Sequence, residues 1–201
     1  MPTPTDNRDT LLLRIELLDI EPLIWRRLRL PKAMRLDSLH NVIQITFGWT
    51  DSHLHEYRAG EALRLGVLAI EDEFGEGDLG PPFQDERKWT VGKLAQSGET
   101  DWVYIYDFGD SWRHRLFFEP AERRSSAELA PAPLCLAGEN ACPPEDVGGC
   151  HGYANFLEAL SDADHDEHEQ YMVWIGGVFD PRGFDLNRIN ADLRQRRRRR
   201  R

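Results

Sequence analysis

The stretch DWVYIYDFGDSWRHRLFFE, residues 101 to 119, decides the fold of this chain. Two runs rich in aromatic and branched residues flank Gly109-Asp110, a pair that suits a two-residue type II′ turn. We therefore predict a β-hairpin that pairs Asp107 with Trp112 and Ile105 with His114 on one face. The tyrosines are expected opposite arginines on the other face.

Strand and helix patterns alternate on both sides of this hairpin. Upstream, the alternation of apolar residues predicts strands at 11–18 and 24–30, a helix from Leu36 that Gly48 ends, and a strand at 53–57. Around and after the hairpin, we expect helices at 90–98, 153–160 and 164–172 and a closing helix from 187, with residues 71–87 and most of 120–150 as loops. The order β-β-α-β, then a central hairpin, then C-terminal helices predicts an α+β fold, a compact roll with a mainly antiparallel sheet.

Length and composition predict one domain. The chain has 201 residues, 40% of them hydrophobic and 10% aromatic, which is enough for a core. We expect a disordered leader at residues 1–10, one domain at 11–193 and an arginine-rich tail at 194–201. No apolar run reaches the length of a membrane span, and the N-terminus lacks the apolar segment of a signal peptide, so a cytoplasmic protein with no membrane contact is expected.

The charge is divided unevenly along the chain. Six consecutive arginines close it, so the remainder is more negative than the overall −10. An acidic body repels nucleic acid, whereas the tail can contact phosphates without sequence preference. A solvated, disordered end is the simpler explanation of the tail. The residues proposed to contact nucleic acid are Arg194, Arg196, Arg197, Arg198, Arg199, Arg200 and Arg201.

Two polar clusters interrupt otherwise apolar strands. In DSHLHEY, His53 and His55 share one face of a strand, an arrangement that can chelate a metal ion. In the central hairpin, Asp107 and His114 are diagonal neighbours, which suits a general base or a metal ligand. A polar strand end and a structural Asp–His pair are the simpler alternatives. We expect the two clusters to share one cleft at an end of the sheet.

A third cluster lies in ACPPEDVGGCHGY, residues 141 to 153. Its prolines stiffen a bend and its glycines permit positive φ, so Glu145 and Asp146 are presented either as a carboxylate site or as the lead-in to a helix. We expect the Pro143–Gly149 loop to pack against the central hairpin. The candidate pocket comprises His53, His55, Glu56, Asp107, Asp110, Trp112, His114, Glu145 and Asp146.

The cysteines suggest a separate metal site. Cys135, Cys142, Cys150 and His151 follow the spacing C-x6-C-x7-C-H, which could supply four zinc ligands. The short C-x2–4-C pair typical of zinc knuckles is missing, so reduced thiols are the alternative. The cofactor suggested by either cluster is zinc or another divalent metal.

Several motifs together resemble one known family. They are LRIELLDIEPLIWRRLRLP, LHNVIQITFGWTDSHLHEY, YIYDFGDSWRH, CLAGENACPPEDVGGCHGY and FDLNRIN, which span about residues 11 to 190. The chain is similar to the pRiA-plasmid ORF-three-like family, some members of which are labelled insertion-sequence passenger resolvase-like proteins. The resemblance implies an α+β roll and an origin in a mobile element.

Three interpretations of the function remain open at this point. The first is an accessory or binding protein with a protein partner, or with nucleic acid at the tail. The second is a metal-dependent enzyme built around the His/Asp cluster, and the third is an adaptor stabilised by a structural zinc or thiol cluster. The sequence does not decide whether the chain is an enzyme.

Overall fold

The computed structural model of the chain describes residues 10–60, 63–67, 83–119 and 132–199. The predicted leader lies outside this part except for Thr10, which already belongs to the first strand. Most of the loop predicted at 71–87 also lies outside it. Of the tail, residues 200 and 201 lie outside it, and residues 197–199 are described only as helical backbone.

Eight strands of the described chain form one sheet. Its order is β5-β4-β3-β6-β7-β1-β2-β8, and all neighbours are antiparallel except the pair β4–β5. The strands are β1 (Thr10–Leu17), β2 (Trp25–Pro31), β3 (His55–Ala59), β4 (Leu63–Gly66), β5 (Gln84–Asp85), β6 (Trp102–Tyr106), β7 (Trp112–Glu119) and β8 (Leu134–Glu139).

Five α-helices accompany the sheet in the described residues, three of them after the last strand. They are α1 (Leu36–Phe47), α2 (Val91–Gln96), α3 (Gly149–Ser161), α4 (His168–Ile175) and α5 (Leu186–Arg199). The predicted α+β class, the mainly antiparallel sheet and the C-terminal helices are therefore confirmed. No described helix is both long enough and apolar enough to cross a membrane.

The first helix forms where the sequence predicts it. Leu36, Leu39, Ile43 and Phe47 recur at helical spacing and are all buried, so α1 places one apolar face in the core. Gly48 ends the helix with φ of 92°, a left-handed conformation that glycine adopts without steric cost. The chain then turns towards the start of β3.

The register of the central hairpin differs from the prediction by one residue. Tyr104 pairs with His114 and Tyr106 with Trp112, so the tyrosines face the core together with the histidine and the tryptophan. The predicted two-residue turn is wrong because Asp107 adopts a positive φ of 56° and accepts a hydrogen bond from the Gly109 N–H, which ends β6 one residue earlier. A shift of one residue exchanges the two faces of β6 relative to β7, so the tyrosines take the place predicted for Ile105 and Asp107.

A strand also crosses the region predicted to be mostly loop. β8 pairs with β2, with a register irregularity between Arg27 and Leu28. Its residues, LCLAGE, include no β-branched side chain, and glycine weakens strand propensity, so the local sequence does not indicate a strand. The strand forms because it pairs with β2, which lies far away in the sequence.

Candidate metal centre

Three loops meet at the end of the sheet where β3 begins and β6 ends. His55 pairs with Tyr106 there, and the N–H of Asp107 donates to the carbonyl of Leu54, so the chain entering β3 lies beside the chain leaving β6. The Pro143–Gly149 loop is the third. An open cleft of about 660 Å³ begins at this junction, and His53 is among its lining residues.

His53 faces a group of carboxylates. Its Nε2 lies 3.0 Å from Asp146 Oδ1, 3.7 Å from Asp107 Oδ2 and 3.9 Å from Glu145 Oε2. The nearest of these contacts lacks hydrogen-bond geometry, so Nε2 is buried without a hydrogen-bonding partner. Among the residues that the structure describes, His53, Asp107 and Asp146 are the one group of three whose ligand atoms approach as a metal site requires, all within 4.8 Å of one another.

The Pro143–Gly149 loop is held against the hairpin, as predicted. Trp49 Nε1 donates to the carbonyl of Pro143, and the Gly148 N–H donates to Asp110 Oδ2. Asp146 has a positive φ of 58°, a conformation that costs energy in residues other than glycine and often accompanies a functional site. Asp110 therefore supports the loop and is not part of the carboxylate group around His53.

His55 lines the same cleft but belongs to a second, buried group. Its ring stacks on that of His40 with centroids 3.6 Å apart, and its Nε2 lies 2.9 Å from Glu86 Oε2. His40 in turn contacts Asp51 and the hydroxyl of Tyr104. Burial, followed by the neighbouring His55, lowers the pKa of His40 to about 4.

Sequence reasoning missed three members of this second group. His40 could have been noticed as a polar residue on the apolar face of α1. Asp51 and Glu86 carry no such signal, because each reaches its histidine only through the folded arrangement of distant segments.

Three fully buried residues of the candidate pocket belong neither to the lining of the cleft nor to the carboxylate group around His53. Glu56 is buried in an ion pair, with its Oε2 2.7 Å from a guanidinium nitrogen of Arg64. Trp112 packs in the core. His114 is fully buried, and its Nδ1 lies 3.0 Å from the carbonyl oxygen of Trp112. The predicted Asp107–His114 pair does not form, because the one-residue register shift places His114 opposite Tyr104.

The four residues proposed for the cysteine-based zinc site do not form a cluster of ligand atoms. No three of Cys135, Cys142, Cys150 and His151 bring their ligand atoms within 4.8 Å of one another. Burial raises the pKa of the Cys135 thiol to about 11 and that of Cys142 well above its usual value. Both are thus held as neutral thiols, whereas zinc binds the thiolate.

Comparison with known proteins identifies relatives over most of the chain. A family model described as "Plasmid pRiA4b ORF-3-like protein" matches residues 9–188. The "Uncharacterized protein y4hQ" of Sinorhizobium fredii is 35% identical over 179 residues, which cover 89% of this chain and 87% of the relative. The solved structure "Crystal Structure of Protein of Unknown Function MM3350 from Methanosarcina mazei Go1" is 34% identical, covers 88% of this chain and 95% of its own, and superposes with a TM-score of 0.73.

Proposed function

The chain belongs to the plasmid pRiA4b ORF-3-like protein family, and we propose that this member is a metal-dependent hydrolytic enzyme. The relatives above have no activity in their names, so the proposal rests on the cleft. His53, Asp107 and Asp146 would hold one divalent ion at its mouth. The observation that carries the proposal is the buried, unpartnered Nε2 of His53 facing three carboxylates.

The spacing of these atoms suits a metal ion. Metal–ligand bonds of about 2.1 Å separate neighbouring ligand atoms by about 3.0 Å in an octahedral site and about 3.4 Å in a tetrahedral one. His53 Nε2 lies 3.0 Å from Asp146 Oδ1 and 3.7 Å from Asp107 Oδ2. A cation between them would also offset the repulsion among the carboxylates. One imidazole with two carboxylates favours a first-row ion such as Mn²⁺ or Zn²⁺.

The open coordination positions support catalysis over a purely structural role. Structural zinc sites use four protein ligands, whereas catalytic sites keep a position for water or substrate. A bound ion supplies a Lewis acid and an activated water. The described lining of the cleft includes Asp37, Asp51 and Glu86 and no lysine or arginine, which favours neutral substrates such as esters or amides over phosphates.

Metal binding is tested first. The chain purified without a tag is stripped with a chelator and titrated calorimetrically with Mn²⁺ and Zn²⁺, and we expect one ion per chain. Loss of a residue that only hydrogen-bonds to a metal ligand typically weakens metal affinity by about 10- to 100-fold. Loss of the ligand itself in His53→Ala should therefore weaken it by at least about 100-fold. The matched control is His151→Ala, since His151 is exposed and is not one of the three clustered residues. Equal binding by wild type and H53A would refute the centre.

Hydrolysis is tested on the metal-loaded chain. We expect turnover of the neutral ester p-nitrophenyl acetate above the rate with free metal, little turnover of the anionic bis(p-nitrophenyl) phosphate, and loss of the ester activity in H53A. Equal ester rates for wild type and H53A would leave the metal site without a catalytic role.

An accessory binding protein is the second candidate, and a surface feature favours it. Met172, Val173, Trp174 and Val178 are exposed on and after α4, with Val178 at 95% exposure. Exposed apolar groups of this kind often contact a protein partner. A photo-crosslinking residue at position 178 should then capture a defined protein, and Val173→Asp should abolish that adduct. The plasmid in the family name supports a mobile-element origin, and the free cysteines support a cytoplasmic location.

A further inference from the structure

We propose that Tyr106 is a positioning residue for the metal centre: through Glu145, its hydroxyl holds the Pro143–Gly149 loop so that Asp146 faces His53. The inference rests on the proposed function, because it assigns a role relative to the ion that His53 and Asp146 would bind.

The two oxygens of Glu145 have different environments. Oε1 accepts hydrogen bonds from the Thr50 N–H at 2.8 Å, the Thr50 hydroxyl at 3.1 Å and the Tyr106 hydroxyl at 3.0 Å. Oε2 lies 3.3 Å from the same tyrosine hydroxyl and 3.9 Å from His53 Nε2. Glu145 is therefore anchored through Oε1, while Oε2 borders the centre.

Tyr106 joins the three segments that build the centre. It lies at the end of β6, next to Asp107, and its hydroxyl accepts the Ser52 N–H at 3.0 Å while it donates to Glu145. One side chain thus connects the α1–β3 loop, the central hairpin and the Pro143–Gly149 loop.

Asp146 depends on this anchor more than the other ligands do. Asp107 is buried and accepts a hydrogen bond from the Gly109 N–H, whereas the Asp146 side chain is 69% exposed and its Oδ1 approaches His53 Nε2 without a hydrogen bond. The loop is also held by hydrogen bonds at Pro143 and Gly148 and by burial of the Val147 side chain in the core. Glu145 is the anchored neighbour immediately before Asp146, so release of its carboxylate lets Asp146 move away from the ion.

The test compares Mn²⁺ affinity in wild type, Tyr106→Phe and Tyr57→Phe by calorimetry on the full chain. Tyr57 is a matched control, since it is equally buried and its hydroxyl donates to the Leu36 carbonyl, far from Glu145. We expect Y106F to weaken Mn²⁺ binding by about 10-fold and Y57F to change it by less than about 2-fold, since partners outside the ligand set tune affinity by about 10- to 100-fold.

Each alternative outcome overturns a different statement. If wild type binds Mn²⁺ and Y106F binds it equally well, or if Y57F weakens binding as much as Y106F does, the positioning role is wrong and the metal centre stands. If wild type binds neither Mn²⁺ nor Zn²⁺, the proposed function fails and the positioning role fails with it.

Glu145→Gln and Glu145→Ala separate positioning from ligation. Glutamine keeps an acceptor for Thr50 and Tyr106 but removes the carboxylate charge, so a positioning residue tolerates it. We expect E145Q to bind Mn²⁺ within about 3-fold of wild type and E145A to lose about 10-fold or more. Equal losses in E145Q and E145A would show that Glu145 ligates the ion directly, and that result overturns the proposal.

Discussion

His114 is a fully buried histidine whose protonation the fold opposes, and its replacement should flatten the dependence of stability on pH. Burial lowers its pKa to about 3, and the positive charge of Arg26 acts in the same direction. Its Nδ1 donates to the carbonyl of Trp112, which leaves Nε2 buried without a partner. A proton at Nε2 would add an unsatisfied charge to the core.

The size of the effect follows from the pKa difference between the unfolded and folded states. Below the ordinary histidine pKa of 6.5, the unfolded chain binds a proton that the folded chain does not bind. The stabilisation is therefore fully present above this pH and is lost as the pH decreases towards 3. The loss is about 1.4 kcal/mol per pH unit, which gives about 2 kcal/mol of unfolding free energy between pH 7.5 and pH 5.

The assay is urea denaturation of wild type and His114→Phe, followed by tryptophan fluorescence at pH 7.5, 6 and 5. Phenylalanine keeps an aromatic ring against Phe47 and Trp49 and cannot titrate. The difference in unfolding free energy between the two chains should shift by about 2 kcal/mol in favour of H114F as the pH falls to 5. The exposed His151→Gln is the control, whose profile should follow wild type. Parallel profiles for wild type and H114F would refute this account.

Three further predictions concern other parts of the chain. Gly149→Ala should lower the free energy of unfolding in urea by about 2 kcal/mol, because φ of Gly149 is 67° and a Cβ would lie 2.8 Å from the Asp110 carbonyl oxygen. The control Gly177→Ala adds a Cβ in open space and should change this free energy by less than about 0.5 kcal/mol. Truncation after Leu193 should abolish nucleic-acid binding. In the full chain, the logarithm of the binding constant should fall with the logarithm of the salt concentration with a slope no steeper than about −6. Salt-resistant binding by the shorter chain would contradict this. Cys135, with its pKa raised to about 11, should react with iodoacetamide at pH 8 at least about 100-fold more slowly in the folded chain than in urea, as peptide mass spectrometry can measure.

Local patterns predicted those elements whose stability depends on neighbours in the sequence. The apolar stripe of α1 and the glycine after it gave the helix within a residue. The central hairpin was identified, but its register goes with a turn from Asp107 to Ser111 in which both of these residues have positive φ, and spacing alone does not reveal this turn. β8 was missed because its stability comes from pairing with β2, over 100 residues earlier in the chain.

Some residues of the candidate site could likewise be predicted from local sequence, whereas others depend on the folded arrangement. His53, Asp107, Glu145 and Asp146 were all nominated from polar residues at strand ends and in a stiff loop, and the structure brings these four together. Their role as a metal centre stays a prediction. The nomination of His114 was wrong as a cleft residue, because the face of β7 that carries it packs into the core, where the observed register places His114 opposite Tyr104.

The order of the strands in the sheet has a consequence for how the chain folds during its synthesis. β1 and β2 leave the ribosome first, yet β1 must pair with β7 and β2 with β8, each about a hundred residues later. At about 5 to 20 residues per second, synthesis leaves both edges of this first hairpin without their neighbouring strands for about 5 to 20 seconds. The N-terminal hairpin is therefore a natural client for ribosome-associated chaperones, and the fold closes only after β8 has emerged.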